Sequence, residues 1–355
     1  MIDNKCFTTE WIEAKARELN YTDTNLIEKV IRALSLLDML SRSGCPFHFK
    51  GGSCLMLLLH DTPHRLSIDI DIMCPPGTDI EQYLASYADC GFIDYKLVER
   101  KQAGTDVPKS HSKFFYQVAF KADMDRTSYI LLDVLYEDCH YQQVERVPIQ
   151  NELIETVGEC PLVNVPSIGD ILGDKLTAFA PETTGIPYYK NDKLVTLEII
   201  KQLYDINRLF ENVDDFGPAY ESFLKVSNVE LGYRGLEGRL NEYFEDVRQT
   251  AICIATRGQA GNGDINFFMS GIKRVKFFMY QEKYQIEEAI KDASRAAYLA
   301  TCFEKGVLAI EKYPKDNPEV VLSMEISGVL PTKLRKLRNV IPEAYYYWAK
   351  VDEML

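Results

Sequence analysis

Between residues 49 and 73 the chain reads FKGGSCLMLLLHDTPHRLSIDIDIM, and the side chains best suited to chemistry lie in that stretch. Ser67, Asp69 and Asp71 alternate with Leu66, Ile68, Ile70 and Ile72, a pattern that predicts a strand with Arg65, Ser67, Asp69 and Asp71 on one face and its aliphatic residues on the other. Carboxylates at that spacing repel one another, and a hard divalent cation such as Mg²⁺ relieves the repulsion by accepting oxygen ligands from both. For a lone D-x-D, an exposed polar face of an edge strand is the plainer account. Gly51-Gly52-Ser53 shifts the balance. Glycine lets backbone N–H groups approach an anion closely, and a helix start supplies unpaired donors and a positive dipole end. Together the two segments predict a metal–triphosphate site, with Lys50 and Arg65 as neighbouring cations.

A third acid, Asp133, stands inside the apolar run YILLDVLYE. Buried without a partner, such a charge costs several kcal/mol, so it must be exposed, paired or bound to metal, and the metal reading makes sense of it. Asp123, Asp125 and Asp138 lie in more polar surroundings and read as surface residues. In HDTPH, His60 and His64 have a metal-like interval, but Pro63 spoils a shared helical face. The aromatic run AYYYW at 344–348 reads as helix packing rather than a base-stacking platform. Spacing alone supports no Ser/His/Asp or Cys/His nucleophilic set.

Elements that position these groups follow from periodicity. A helical pattern over residues 9–43, with Leu26, Val30, Ala33, Leu34 and Leu37, ends at the Gly/Pro stop SRSGCP and precedes a short strand at 47–49. Then come the glycine turn, the short apolar helix opened by Ser53, and the D-x-D strand. Further strands are expected at 95–101, 113–121 and 128–136, and helices at about 168–180, 194–211, 236–256, 265–280 and 284–303. TRGQAGNGD, at 256–264, is the clearest loop. The expected architecture is α+β: a mixed β-sheet lobe flanked by helices over residues 1–150, then a mainly α-helical lobe over 151–355.

Composition bounds the rest. A length of 355 residues with 46% hydrophobic content suits two ordered domains. The nine cysteines are scattered singly, without a C-x-x-C pair, and suit a reducing cytoplasm. The start MIDNKCFTTEW lacks the marks of a secretory signal, and no run of about 18 apolar residues occurs, so a cytoplasmic chain without membrane partners is expected. A formal charge of −13 argues against broad non-specific nucleic-acid binding. Local basic clusters at 109–113, 190–201 and 332–338 read first as solvated faces.

Taken together, FKGGSCLMLL, RLSIDIDIM and the acid on a neighbouring strand resemble the polymerase-β-like nucleotidyltransferase superfamily, and within it the AbiEii/AbiGii-type toxins of abortive-infection toxin–antitoxin systems. GDKLTAFA, with Lys175, and KQLYDINRLF, with Asp205, extend the likeness over residues 47–210. One departure stands out: where the family often has a cation followed directly by aspartate, this chain has Lys201 followed by Gln202. The resemblance implies transfer of a nucleoside monophosphate from an NTP, with release of pyrophosphate. It implies Mg²⁺ or Mn²⁺ on Asp69, Asp71 and Asp133, with Asp133 also able to activate the acceptor hydroxyl. Lys50, Gly51, Gly52, Ser53, Arg65, Ser67 and Lys175 would then contact the nucleotide, and Asp205 would join the catalytic set. Read from its helix alone, Lys175 is a surface group with an apolar stem, and Asp205 pairs with Lys201 or Arg208. The implied acceptor is a tRNA 3′ end or a protein residue, Ser67 itself being one, and the implied partner is a cognate antitoxin. An antibiotic-modifying nucleotidyltransferase shares the metal motif, and a non-catalytic NTP-binding module would share the fold.

Overall fold

Asn20 takes a left-handed φ of 51°, and the Asp23 side chain then accepts a hydrogen bond from Leu26 N, so the helical pattern of residues 9–43 folds as two helices, α1 (Thr9–Glu18) and α2 (Thr24–Arg42), rather than one. The computed structural model describes residues 1–60, 62, 65–98, 107–120, 126–279 and 282–355. His64, Asp123 and Asp125 lie outside these described residues, as do the ends of the strands expected at 95–101 and 113–121.

Two compact units are present: Met1–Ser167 with Phe278–Glu282, and Ile168–Phe277 with Lys283–Leu355. The first is built on a five-stranded mixed sheet. In chain order its elements are β1 (His48–Lys50), α3 (Gly51–Leu58), β2 (Ile70–Cys74), β3 (Asp94–Val98), β4 (Lys109–Gln117) and β5 (Thr127–Tyr136). The spatial order is β1-β2-β5-β4-β3; among the described residues β2 and β5 pair in parallel and the other neighbours antiparallel. Side-chain alternation sends Phe49, Ile70, Ile72, Phe114, Leu132 and Val134 into the core, where Leu34, Leu37 and Met56 are also buried.

The sequence pattern misses a small antiparallel pair, β6 (Val144–Pro148) and β7 (Leu162–Pro166): β6 is exposed along Val144, Glu145 and Arg146, and β7 buries only Val163 and Val165 before Pro166, a pattern too short to stand out. The strand predicted from residue 65 begins only at Ile70. Upstream of it, Leu66 N donates to Phe278 O, so that stretch makes a hydrogen bond outside the sheet.

The second unit is helical apart from a hairpin of β8 (Tyr189–Lys190) and β9 (Lys193–Leu194). Its helices are α4 (Ile168–Ala178), α5 (Thr196–Asn212), α6 (Gly217–Gly232), α7 (Leu240–Ala255), α8 (Ile265–Val275), α9 (Ile286–Glu304), α10 (Leu337–Val340) and α11 (Pro342–Met354). α5 contacts α4, α8 and α9, and its Ile199, Leu203, Ile206 and Phe210 are buried. α6 is absent from the sequence expectation. Its flanking glycines and Pro218 mask a helix that packs on α4 at Gly173, where a Cβ would meet the α6 backbone, 2.7 Å from Phe223 N. Tyr345, Tyr347 and Trp348 are buried in α11, in keeping with the packing role read from AYYYW. All nine cysteines are free. Among the described residues no helix is long and apolar enough to cross a membrane.

Candidate active site

Gly51 has φ +77°, a conformation that favours glycine, and it turns the chain from β1 straight into α3. The N-cap, Lys50, makes no side-chain capping hydrogen bond, so the first-turn donors of α3 have no cap from it. Ser53, wholly buried, donates through Oγ to the Asp69 carbonyl at 2.5 Å and ties α3 to the D-x-D segment.

The glycines are where the carboxylates come close. A Cβ on Gly51 would fall on the Asp71 carboxylate, 2.7 Å from its Cγ. One on Gly52 would lie 2.5 Å from Arg65 Nη2 and 2.9 Å from Ser67 Oγ. The glycine turn therefore seats the D-x-D segment directly against it, with Arg65 and Ser67 both buried.

Strand register brings in the third acid. Lys50 is the register partner of Asp71, Asp71 of Asp133 across the parallel β2–β5 pair, and Asp133 of His111 on β4. Register partners share a face, so Lys50, Asp71, Asp133 and His111 form one row across four strands, on the face opposite the buried Phe49, Ile72, Leu132 and Ser112. Lys50 Nζ stands 5.9 Å above the Tyr141 ring, and Met73, Leu135 and Tyr141 form a small apolar cluster. Asp69 precedes β2 and is partly exposed.

His111 is the residue that sequence reasoning misses. Its Nδ1 lies 2.5 Å from Asp133 Oδ1, with the side chains 13% and 30% exposed. An ionised carboxylate only accepts, so Nδ1–H donates. His60 of the HDTPH interval has its Nδ1 3.2 Å from the Leu57 carbonyl. Asp138 is exposed, as its polar surroundings suggested.

Among the described residues no group of three or more Asp, Glu, His or Cys side chains is arranged around a single metal position. Asp71 lies against Gly51 and Asp133 against His111. The donor chemistry, carboxylate oxygen beside a turn that admits no Cβ, fits a hard cation with its phosphate ligand.

In the second unit, Lys175 and Asp205 meet each other, and both are buried. Lys175 Nζ lies 2.9 Å from Asp205 Oδ2 and donates to Gln202 Oε1 at 3.0 Å. Lys201 pairs with Glu198 and Arg208 with Glu211. Gln202, standing where an acid is expected, thus serves as an acceptor for Lys175.

The family model described as nucleotidyl transferase AbiEii toxin, type IV TA system, matches residues 33–274. No curated protein matches the chain. Among solved structures, MenT4, a nucleotidyltransferase toxin from Mycobacterium tuberculosis, is similar with a TM-score of 0.50 and 14% identity, over 84% of this chain and 94% of that one. JHP933 from Helicobacter pylori is similar with a TM-score of 0.44 and 15% identity, over 81% of this chain and 94% of that one. The likeness to MenT4 is one of fold.

Proposed function

The chain belongs to the AbiEii nucleotidyl transferase toxin family of type IV toxin–antitoxin systems, and from that membership we propose that it moves a nucleoside monophosphate from an NTP to an RNA 3′ end. The observation that carries the reading is the Asp71–Asp133 register pair, set beside a glycine turn that opens a helix.

In this reaction the acceptor hydroxyl oxygen bonds to the α-phosphorus. The bond from that phosphorus to the oxygen bridging to the β-phosphate breaks, and pyrophosphate leaves with the electron pair. Asp69, Asp71 and Asp133 would hold Mg²⁺ or Mn²⁺, which when bound offsets charge on the phosphate oxygens. The first-turn N–H groups at Gly52 and Ser53 face phosphate oxygen, with Lys50 and Arg65 adding positive charge. The acceptor proton passes to water. Lys175, held by Asp205 and Gln202, is the ammonium that the family resemblance implies for the β- and γ-phosphates.

Support for RNA over a protein acceptor comes from the second unit. In the β8–β9 hairpin Asn191 and Asp192 have φ of 50° and 60°, a tight turn that sets Lys190 directly opposite Lys193. Like charges in that relation destabilise a strand pair, so a polyanionic partner gives the arrangement a purpose. Lys190, Lys193, Lys273, Arg274 and Lys276 are all exposed and have no ion-pair partner among the described residues. Tyr189 is 53% exposed and packs edge-on against Phe267 at 5.7 Å, an aromatic surface among the cations. A cationic drug would be repelled here.

Incubation with each labelled NTP and either total tRNA or a protein lysate tests the reading. Label in tRNA, lost in Asp71→Asn, supports it; label in protein alone overturns the acceptor assignment, and no label with any NTP overturns the activity. The cognate antitoxin and a cytoplasmic site of action are part of the same proposal.

A further inference from the structure

We propose that His111 is a positioning residue of the carboxylate row, holding Asp133 in one rotamer so that a single oxygen is committed and the other is left for a divalent cation. The inference rests on the metal-binding reading above and extends it to a residue on a different strand.

A histidine–aspartate contact in a sheet has a plainer account, an ion pair that steadies two strands. Several observations weigh against it. The pair lies on the less buried face, where such contacts contribute little to stability. β4 and β5 are already joined along a register running from Lys109↔Leu135 to Gln117↔Thr127, so a side-chain clasp adds little to their pairing. Its location is the more telling fact: of the β4 positions, the histidine occupies the one opposite the acid that is itself opposite Asp71.

The physical need is specific. Neighbouring parallel strands place Asp71 and Asp133 roughly 4.8 Å apart at the backbone, and carboxylates so close turn away from each other when free to do so. A divalent cation requires its oxygens at fixed positions, and ligating carboxylates are commonly held by a further hydrogen bond from a neighbour. Nδ1–H of His111, at 2.5 Å from Oδ1, supplies that bond. Asp133 Oδ2 has no hydrogen-bond partner among the described residues and is the oxygen left over. The role needs only a donor at the Nδ1 position, which the amide of asparagine also places there.

The test measures Mn²⁺ alone, by electron paramagnetic resonance titration of the full chain, in wild type, His111→Phe, His111→Asn and Asp71→Asn, with urea midpoints in parallel. Wild type is expected to bind Mn²⁺ and Asp71→Asn to lose it. His111→Phe should bind 10–100-fold more weakly at an unchanged urea midpoint, and His111→Asn should recover most of the loss. Should His111→Phe misfold, His111→Leu takes its place as the variant without a donor, and the same contrast with Asn decides. If His111→Phe binds as wild type does while Asp71→Asn does not, the positioning role is overturned and the metal reading stands. If Asn fails as badly as Phe, donor geometry is not the cause and the role is likewise overturned. Absence of Mn²⁺ binding by wild type overturns both.

Discussion

Lys175 and Asp205 are joined by a 2.9 Å ion pair whose side chains are only 8% and 1% exposed. Removing one partner from such a pair strands a buried charge, at a cost of about 3–5 kcal/mol, whereas replacing both by apolar residues is often nearly neutral. Lys175→Met and Asp205→Leu are therefore each expected to lower the urea midpoint strongly, and the double variant to recover most of the loss. Nucleotidyl transfer should stay absent in the double variant, because the ammonium proposed to meet the phosphates is gone. Denaturation curves with a transfer assay on the same four proteins separate the structural role from the chemical one. Strictly additive losses would show that the two residues do not act as a pair.

The two glycines make a second prediction. Gly51→Ala faces both the φ of +77° and a Cβ that runs into the Asp71 carboxylate. A strained site of this kind costs roughly 1–3 kcal/mol, and here the strain falls on the D-x-D segment itself. Gly52→Ala is not strained in φ but pushes on Arg65 and Ser67. Both variants should lose the thermal shift given by Mg²⁺–NTP, Gly51→Ala with the lower melting temperature in the absence of nucleotide. A variant that melts like wild type and keeps its nucleotide shift would remove the turn from the site.

What could be read from the chain alone follows from how local each feature is. The glycine turn and the alternation of Asp69 and Asp71 are short-range signals, and the mixed sheet with its helical second half follows from periodicity. That Asp133 sits beside Asp71 is a property of strand pairing, which the sequence suggested only through a resemblance. His111 carries no local mark at all, since its partner is 22 residues away and the relation exists only through the β4–β5 register. Gln202 looked like the loss of an acid, and only the position of Lys175 gives its amide a role. β6 is too exposed to show an apolar pattern, β7 shows one over only two buried valines, and α6 hides behind glycine and proline.

Reversing the hairpin charges tests the acceptor surface apart from the nucleotide site. Lys190→Glu with Lys193→Glu keeps the turn residues Asn191 and Asp192 and removes two cations that stand opposite one another. RNA affinity should fall by an order of magnitude or more at low salt, with a shallower salt dependence because fewer phosphates are neutralised. The Mg²⁺–NTP thermal shift should be unchanged. Filter binding across a salt series reads the effect, and an affinity equal to wild type at every salt concentration would place the RNA elsewhere.

Two buried acids in the helical unit, Asp292 and Asp246, make its stability depend on pH. Burial pushes Asp292 up to about 7, against the pull of Arg208, Arg295 and Lys291 and a hydrogen bond from Tyr284 OH at 2.8 Å. Burial likewise raises Asp246 to about 6, although Glu182 N and Thr183 Oγ1 both donate to its Oδ2. In each case the native pKa lies above the unfolded value, so the native state binds the extra proton in the window from about pH 4 up to about pH 7 for Asp292 and about pH 6 for Asp246. The stability these protons contribute is whole below that window and declines as pH rises through it. Asp292→Asn keeps the shape and an acceptor for Tyr284 while removing the charge, so its urea midpoint should exceed that of wild type at pH 8 and converge with it toward pH 4. Parallel midpoint–pH curves for the two proteins would mean that Asp292 does not carry its proton in the native state.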